Sequence, residues 1–271
     1  MSRTYDVIKQ TESAKESEGN GVEEPIIDRV EAIVDEPRSE PSDDFQGNGH
    51  EAPPFELIPG PDIEEKYQKL RGSLFGGPKK NTIKTLLVVA SDHGEGATTT
   101  ATFLASVLAK SNRARVILVD ANLRTPSPLS ARRLNQGSKG FTELASGKAK
   151  LNEVVQPATF ISPNLSVISA GRPLPSPSYL FDGDAIETIL AALRERYDYV
   201  ILDGAPVKDY SDSCFLGSKV DGAIIVVEAG KTRKETARGT KRQLERYGAK
   251  VLGTVLNKKK NYIPSLIDRF L

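Results

Sequence analysis

Six apolar runs set the fold class: TLLVVA (85–90), RVILVD (115–120), NLSVIS (164–169), DYVILD (198–203), GAIIVVE (222–228) and KVLGTVL (250–256). They are apolar throughout rather than alternating apolar and polar. A strand with one wet face alternates; a strand covered on both faces does not, as in a parallel sheet between helix layers. Helices are expected between the runs at about 98–111, 183–196 and 232–247. An earlier helix is expected in PDIEEKYQKLRGSLF, where Ile63, Tyr67, Leu70 and Leu74 recur at helical spacing after Pro61 and Asp62. Strand and helix in repeated alternation predict an α/β domain, doubly wound, with a mostly parallel sheet of about six to eight strands flanked by helices. That domain is expected over residues 61–271.

The residues before it are of another kind. Residues 1–60 carry 5 Lys and Arg against 15 Asp and Glu, whereas the whole chain has a formal net charge of +1. An acidic tail therefore precedes a basic domain. Its stretches of Glu, Asp, Ser, Pro and Gly bury too little apolar surface to offset chain entropy, so disorder is expected. One island, Ile26, Ile27, Val30, Ile33 and Val34, shares a face of a short helix and reads either as a docking motif over 26–34 or as apolar residues in a linker.

Several chemistries are excluded at once. A single cysteine, Cys214, cannot form an internal disulfide or a Cys-rich zinc site, and His50 and His93 leave little for a His-based one. No apolar run has the length of a membrane span and the first ten residues lack an apolar core, so a cytoplasmic chain is expected.

The first apolar run leads into Ser91-Asp92-His93-Gly94-Glu95-Gly96-Ala97-Thr98-Thr99-Thr100 and then a helix. Strand, Gly-rich turn and helix N-terminus together make an anion site, with Gly94 and Gly96 allowing close backbone approach. Thr98 or Thr99 offers a hydroxyl to phosphate or Mg²⁺. A P-loop would place Lys after the second glycine, where this chain has Ala97; a dinucleotide loop would want Gly or Ala at Thr99. A simple β–α turn is the third reading. Asp120 and Asp203 narrow the choice. Each ends an apolar run, and in a parallel sheet those ends converge on the same loop, where a carboxylate can hold Mg²⁺. The set favours a nucleotide-phosphate site.

LLVVASDHGEGATTTATFLA, VILVDANLRTP and YDYVILDGAPV together resemble the bacterial tyrosine kinases of capsule and exopolysaccharide synthesis, which are deviant P-loop ATPases related to partitioning proteins. GFTELASGKAKLNEVV, NLSVISAGRPLPSPSYLF and the last two runs resemble further segments of that family, so the likeness spans about residues 56–264. It implies ATP or ADP with Mg²⁺ as cofactor. Gly94, Glu95, Gly96, Ala97, Thr98 and Thr99 would wrap the phosphates, with Arg124 also at the nucleotide. Thr98, Asp120 and Asp203 would hold the metal, and the two aspartates would be catalytic. Glu65, Gln68 and Arg71 resemble the helix motif through which subunits contact one another in a homo-oligomeric ring. The partner implied is a membrane polysaccharide co-polymerase, with the chain peripheral to the inner membrane through it.

The departures are specific. Ala97 replaces the phosphate lysine, Asn122 replaces the second aspartate of D-x-D-x-R, Gln68 replaces an arginine, and the C-terminal tyrosine cluster is reduced to Tyr262, with Tyr247 upstream. Losing one group that stabilises developing charge typically costs about 10²–10³ in rate. The expectation is a catalytically impaired regulator or scaffold. The alternatives are an active autokinase using Lys79, Lys80 or Lys84 as substitute cation, and a partitioning-type ATPase on DNA or membrane. The basic stretches 231–250 and 258–260 read first as a solvated face; without interleaved aromatics they argue against nucleic acid.

Overall fold

The computed structural model describes residues 32–34, 59–76, 83–111, 114–125 and 139–259. In chain order the elements are β1 (Ala32–Val34), α1 (Pro61–Phe75), β2 (Thr85–Ala90), α2 (Ala97–Lys110), β3 (Val116–Asp120), α3 (Phe141–Ala145), α4 (Leu151–Val154), β4 (Val155–Pro157), β5 (Leu165–Ile168), α5 (Ser178–Asp182), α6 (Asp184–Arg196), β6 (Tyr199–Asp203), α7 (Asp212–Gly217), β7 (Gly222–Glu228), α8 (Lys234–Arg246) and β8 (Val251–Asn257). One sheet holds all eight strands in the order β1-β8-β7-β2-β6-β3-β5-β4. Every pairing is parallel except β4 with β5.

The continuous apolar runs are explained by two cores. Leu86 and Val88 of β2, Val116 and Leu118 of β3, Ile201 of β6 and Ile224 of β7 pack on one side, with α1 and α2. Leu87, Val89, Ile117, Val119, Val200, Leu202 and Ile225 pack on the other, with α3, α5, α6 and α7. Alternate residues thus enter opposite cores, and neither face of the central strands is left to water. α2 is buried along most of its length because α1 covers its outer side. Tyr67 of α1 meets Phe103 of α2 edge to face at 5.5 Å between centroids, and the Tyr67 hydroxyl is 3.4 Å from Thr100 Oγ1.

The expected spacing in α1 is met: Tyr67, Leu70 and Leu74 are buried, and Ile63 packs against them. The expected helical face before the domain is corrected in part, because Ile33 and Val34 lie in β1, a strand paired with β8 from Ala32–Val255 to Val34–Asn257. Ile26, Ile27 and Val30 lie outside the described residues.

Topology brings the site together. β6 lies between β2 and β3, and Asp203 is in register with Asp120 at the carboxyl end of the sheet. The loop after β2 opens at that same end. The opposite end is closed by Asp221, which accepts from the amides of Lys84 and Thr85, both at 2.8 Å, and from the Thr85 hydroxyl at 2.9 Å.

Candidate functional site

The loop between β2 and α2 is shaped by two glycines and one buried acid. Gly94 (φ 74°) and Gly96 (φ 94°) take left-handed backbone, which side chains resist. Glu95 is almost fully buried. One of its carboxylate oxygens accepts from the Asp92 amide at 2.8 Å and the other from the Thr232 hydroxyl. Its carbonyl accepts from Asn257 Nδ2 at 3.0 Å. Glu95 therefore folds the loop and ties it to β7 and β8; its carboxylate faces the protein. Gly96 is the N-cap of α2, provides no side-chain cap, and is followed by a first turn without acidic residues. The leading amides of a 14-residue helix are thus left for an anion. Ala97 packs in the core beneath them.

Two carboxylates stand beside this turn. Asp120 and Asp203 are both buried. Burial, and then the Asp120 charge beside it, push the Asp203 carboxyl well above the usual carboxylate range, against a hydrogen bond from Thr98. Its second oxygen, Oδ1, is buried with no hydrogen-bond partner. An orphaned carboxylate oxygen next to a second carboxylate and a threonine hydroxyl suits a divalent cation. Among the described residues no group of three or more His, Cys, Asp or Glu could enclose one. Phosphate oxygens and water would then complete the shell, as Mg²⁺ prefers.

The departures have visible consequences. Asn122 closes a tight turn, with Thr125 Oγ1 at 3.1 Å from its Nδ2, and its amide donates to Asp120 Oδ1 at 3.2 Å. Arg124 forms a fork on Asp212, with Nε at 2.6 Å and Nη2 at 3.2 Å from its two oxygens. It also donates to the Pro175 carbonyl and lies 4.1 Å over the Tyr210 ring. The structure places its guanidinium there, bound to α7. Glu65 pairs with Lys69 at 2.9 Å, Gln68 Nε2 reaches Ser111 Oγ at 3.4 Å, and Arg71 Nε is buried without a partner.

Of the lysines considered as substitutes, Lys84 lies at the amino end of β2, at the opposite end of the sheet, and is removed from the phosphate loop by that position. Lys79 and Lys80 lie outside the described residues. Two other lysines reach the loop and were missed in the sequence. Lys208 Nζ is 2.5 Å from Asp92 Oδ2, and that ammonium holds the Asp92 carboxyl below its usual range. Lys258 Nζ is 2.6 Å from the Gly94 carbonyl oxygen. Both come from segments distant in sequence, so loop spacing gives no hint of them.

A central β-strand, a two-glycine turn, a helix N-terminus and two strand-end carboxylates define a P-loop-type nucleotide domain, and the AAA domain family matches residues 83–246. The chain belongs to the bacterial tyrosine-kinase family within that class. It is 30% identical over 195 residues to tyrosine-protein kinase CpsD of Streptococcus agalactiae, covering 72% of this chain and 83% of that protein. It is 31% identical over 196 residues to tyrosine-protein kinase YwqD of Bacillus subtilis, covering 72% and 81%. The kinase domain of the Escherichia coli tyrosine kinase ETK superposes with a TM-score of 0.72 at 25% identity, over 90% of this chain and 99% of that one. The septum site-determining protein MinD of Pyrococcus horikoshii, solved with Mg-ADP, shares the fold at a TM-score of 0.55 and 18% identity, over 69% and 76%.

Proposed function

We propose that this chain is a nucleotide-binding relative of the capsule and exopolysaccharide tyrosine kinases that regulates or scaffolds a membrane polysaccharide co-polymerase, with phosphoryl transfer impaired. The observation that carries it is the pairing of an intact anion cradle and orphaned Asp203 Oδ1 with Ala97, where the family has lysine. ATP or ADP would lie with its phosphates on the amides of residues 94–99. Mg²⁺ would be held by Thr98, Asp203 and Asp120, where it neutralises phosphate charge. Ala97 offers no ammonium to the β and γ phosphates, and Asn122 offers an amide where a carboxylate would organise metal or water. Each loss slows transfer more than it weakens binding, because the backbone donors remain. Association with the inner membrane would come through the partner: among the described residues no helix is long and apolar enough to cross a membrane. A ring through Glu65, Gln68 and Arg71 is part of the same proposal.

A second reading, an active autokinase, draws support from Lys208 and Lys258 at the loop. One experiment separates them. The purified chain is titrated with MgATP and blotted for phosphotyrosine beside A97K/N122D and D203A variants. Saturable MgATP binding with phosphotyrosine about 10²-fold or more below the A97K/N122D variant supports the impaired regulator. Phosphotyrosine at the level of that variant, abolished by D203A, supports the kinase.

A further inference from the structure

We propose that the cationic ridge of α8 is a docking surface for the acidic segment 16–28 of the same chain. This docking is independent of what the phosphate loop binds.

α8 is anchored by Thr240 and Leu244, which are buried, and by Ala237, which packs against the second core. Two residues along a helix turn a side chain by about 200°, so Arg238, Arg242 and Arg246 point away from the anchored face. Lys234, Arg238, Arg242 and Arg246 recur every four residues and form one ridge. All four are exposed. Among the described residues none of them has a carboxylate partner; the pairs made nearby are Lys241 with Glu245 at 3.7 Å and Lys231 with Glu228 at 3.2 Å. Like charges four apart oppose one another in a helix, and Lys234 in the first turn opposes the dipole as well. An anion along the ridge offsets both effects.

The surface beside the ridge fits a peptide. Gly239, Arg242, Gln243, Arg246 and Tyr247 line an open groove of about 320 Å³. A Cβ on Gly239 would meet nothing within 4 Å, so packing does not require a glycine there, and glycine weakens a helix interior. Its missing side chain keeps the groove open. Tyr247 is 39% exposed and stands edge to face on Phe215 of α7, at 5.1 Å between centroids. Guanidinium forks beside a fixed ring suit carboxylates carried on an extended backbone.

Charge and position name the occupant. Residues 16–28 carry five carboxylates, Glu16, Glu18, Glu23, Glu24 and Asp28, and no basic residue. They lie outside the described residues, and the described chain begins at Ala32, paired with Val255 of β8. β8 is the strand that α8 leads into. From Ala32 back to Glu16 an extended chain spans up to about 50 Å, whereas α8 is about 20 Å long. The segment therefore reaches the ridge without β1 leaving β8, and the tether gives it a local concentration that a free peptide lacks. A lipid surface fits less well. A helix lying in one offers it an apolar face, and the apolar face of α8 is turned into the core.

The test uses the full chain carrying a nitroxide at E245C, with broadening of the amide signals of residues 16–28 read by NMR; Cys214 is buried and stays unlabelled. The parent chain is compared with R238E/R242E/R246E, with E16K/E18K/E23K/E24K/D28K, and with both sets combined, each melting temperature being recorded to verify folding. Broadening is expected in the parent, a loss of at least about threefold in either single set, and recovery in the combination, because reversing both sides restores the charge pairing. Salt at about 1 M should remove the broadening. Broadening equal in the parent and in R238E/R242E/R246E overturns the proposal. Retention of the parent on phosphatidylserine vesicles or on a DNA duplex, lost in R238E/R242E/R246E, would then give the ridge to a lipid surface or to nucleic acid. Broadening between a nitroxide-bearing chain and a separate isotope-labelled chain would place the segment on a second copy, and overturns docking within one chain.

Discussion

Asp203 is held in a state that costs the fold. Burial, and then Asp120, raise its folded-state pKa, while in the unfolded chain it titrates as an ordinary carboxyl. As pH rises, the unfolded chain loses this proton first. The contribution of Asp203 to stability therefore falls from about the ordinary aspartate pKa upward, until the folded carboxyl also ionises. D203N removes the charge and keeps the shape. It is expected to raise the melting temperature at pH 7 by roughly 2–4 °C, about 1 kcal/mol for a domain of this size, while weakening Mg²⁺-dependent nucleotide retention. A lower melting temperature in D203N would show that the carboxylate stabilises the empty site. Asp221 has the opposite sign. Burial works to raise its pKa, but the bonds from Thr85 and Lys84 outweigh it and hold it low. Its stabilisation is present above the ordinary aspartate range and is lost as pH falls through the folded pKa. D221A should flatten the acid limb of a stability–pH curve that D203N leaves intact. Arg124 gives the third residue-scale outcome. Asp212 is buried and depends on that guanidinium, which in turn has its own pKa raised by it. R124A removes the countercharge of the buried carboxylate, which keeps the Ser178 hydroxyl as a donor, and should lower stability by about 3 kcal/mol without any nucleotide present, measured by urea unfolding. A loss confined to nucleotide affinity would give Arg124 to the ligand instead.

At the scale of elements, the long strands and helices were readable because each carries one dominant pattern. β2 and β7 have the bounds the sequence suggests, and α2, α6 and α8 begin and end within two residues of expectation. The short elements α3, α4, β4, α5 and α7 have three to six residues each, too few to display a period. They are set by tertiary fit. At the start of α3, a Cβ on Gly140 would lie 2.3 Å from the Gly171 amide nitrogen and 2.4 Å from the Ser169 carbonyl oxygen. The chain must pass that close because the Phe141 and Thr142 amides donate to Ser169 and Ala170 beyond β5. G140A forces backbone to move and should cost roughly 2 kcal/mol or more, read as a lower denaturation midpoint at unchanged slope. The site divides along the same line. Gly94, Gly96, Thr98, Asp120 and Asp203 were legible because the ends of parallel strands must converge. Lys208 and Lys258 were not, because a lysine in a basic run carries no mark of what it touches.

Across the whole molecule, one thiol set in one of the two cores reports on opening of the fold. Cys214 is fully buried on α7, and burial pushes its thiol up to about 11, with the Asp212 charge adding to it. The native chain presents almost no thiolate at pH 8, so alkylation must wait for an opening that exposes the core. The first strand, β1, adds only three register pairs to the edge of β8. Among the described residues the two cores are built from residues 63–256. A chain beginning at residue 59 should therefore keep its cooperative unfolding, and Cys214 should label no faster than about threefold over the full-length rate. It should gain self-association on a sizing column, because β8 then offers an unpaired edge whose N–H and C=O groups can take a strand from another copy. Labelling accelerated a hundredfold in the shortened chain would mean instead that β1 secures the fold, and that the acidic segment is an integral part of the domain it precedes.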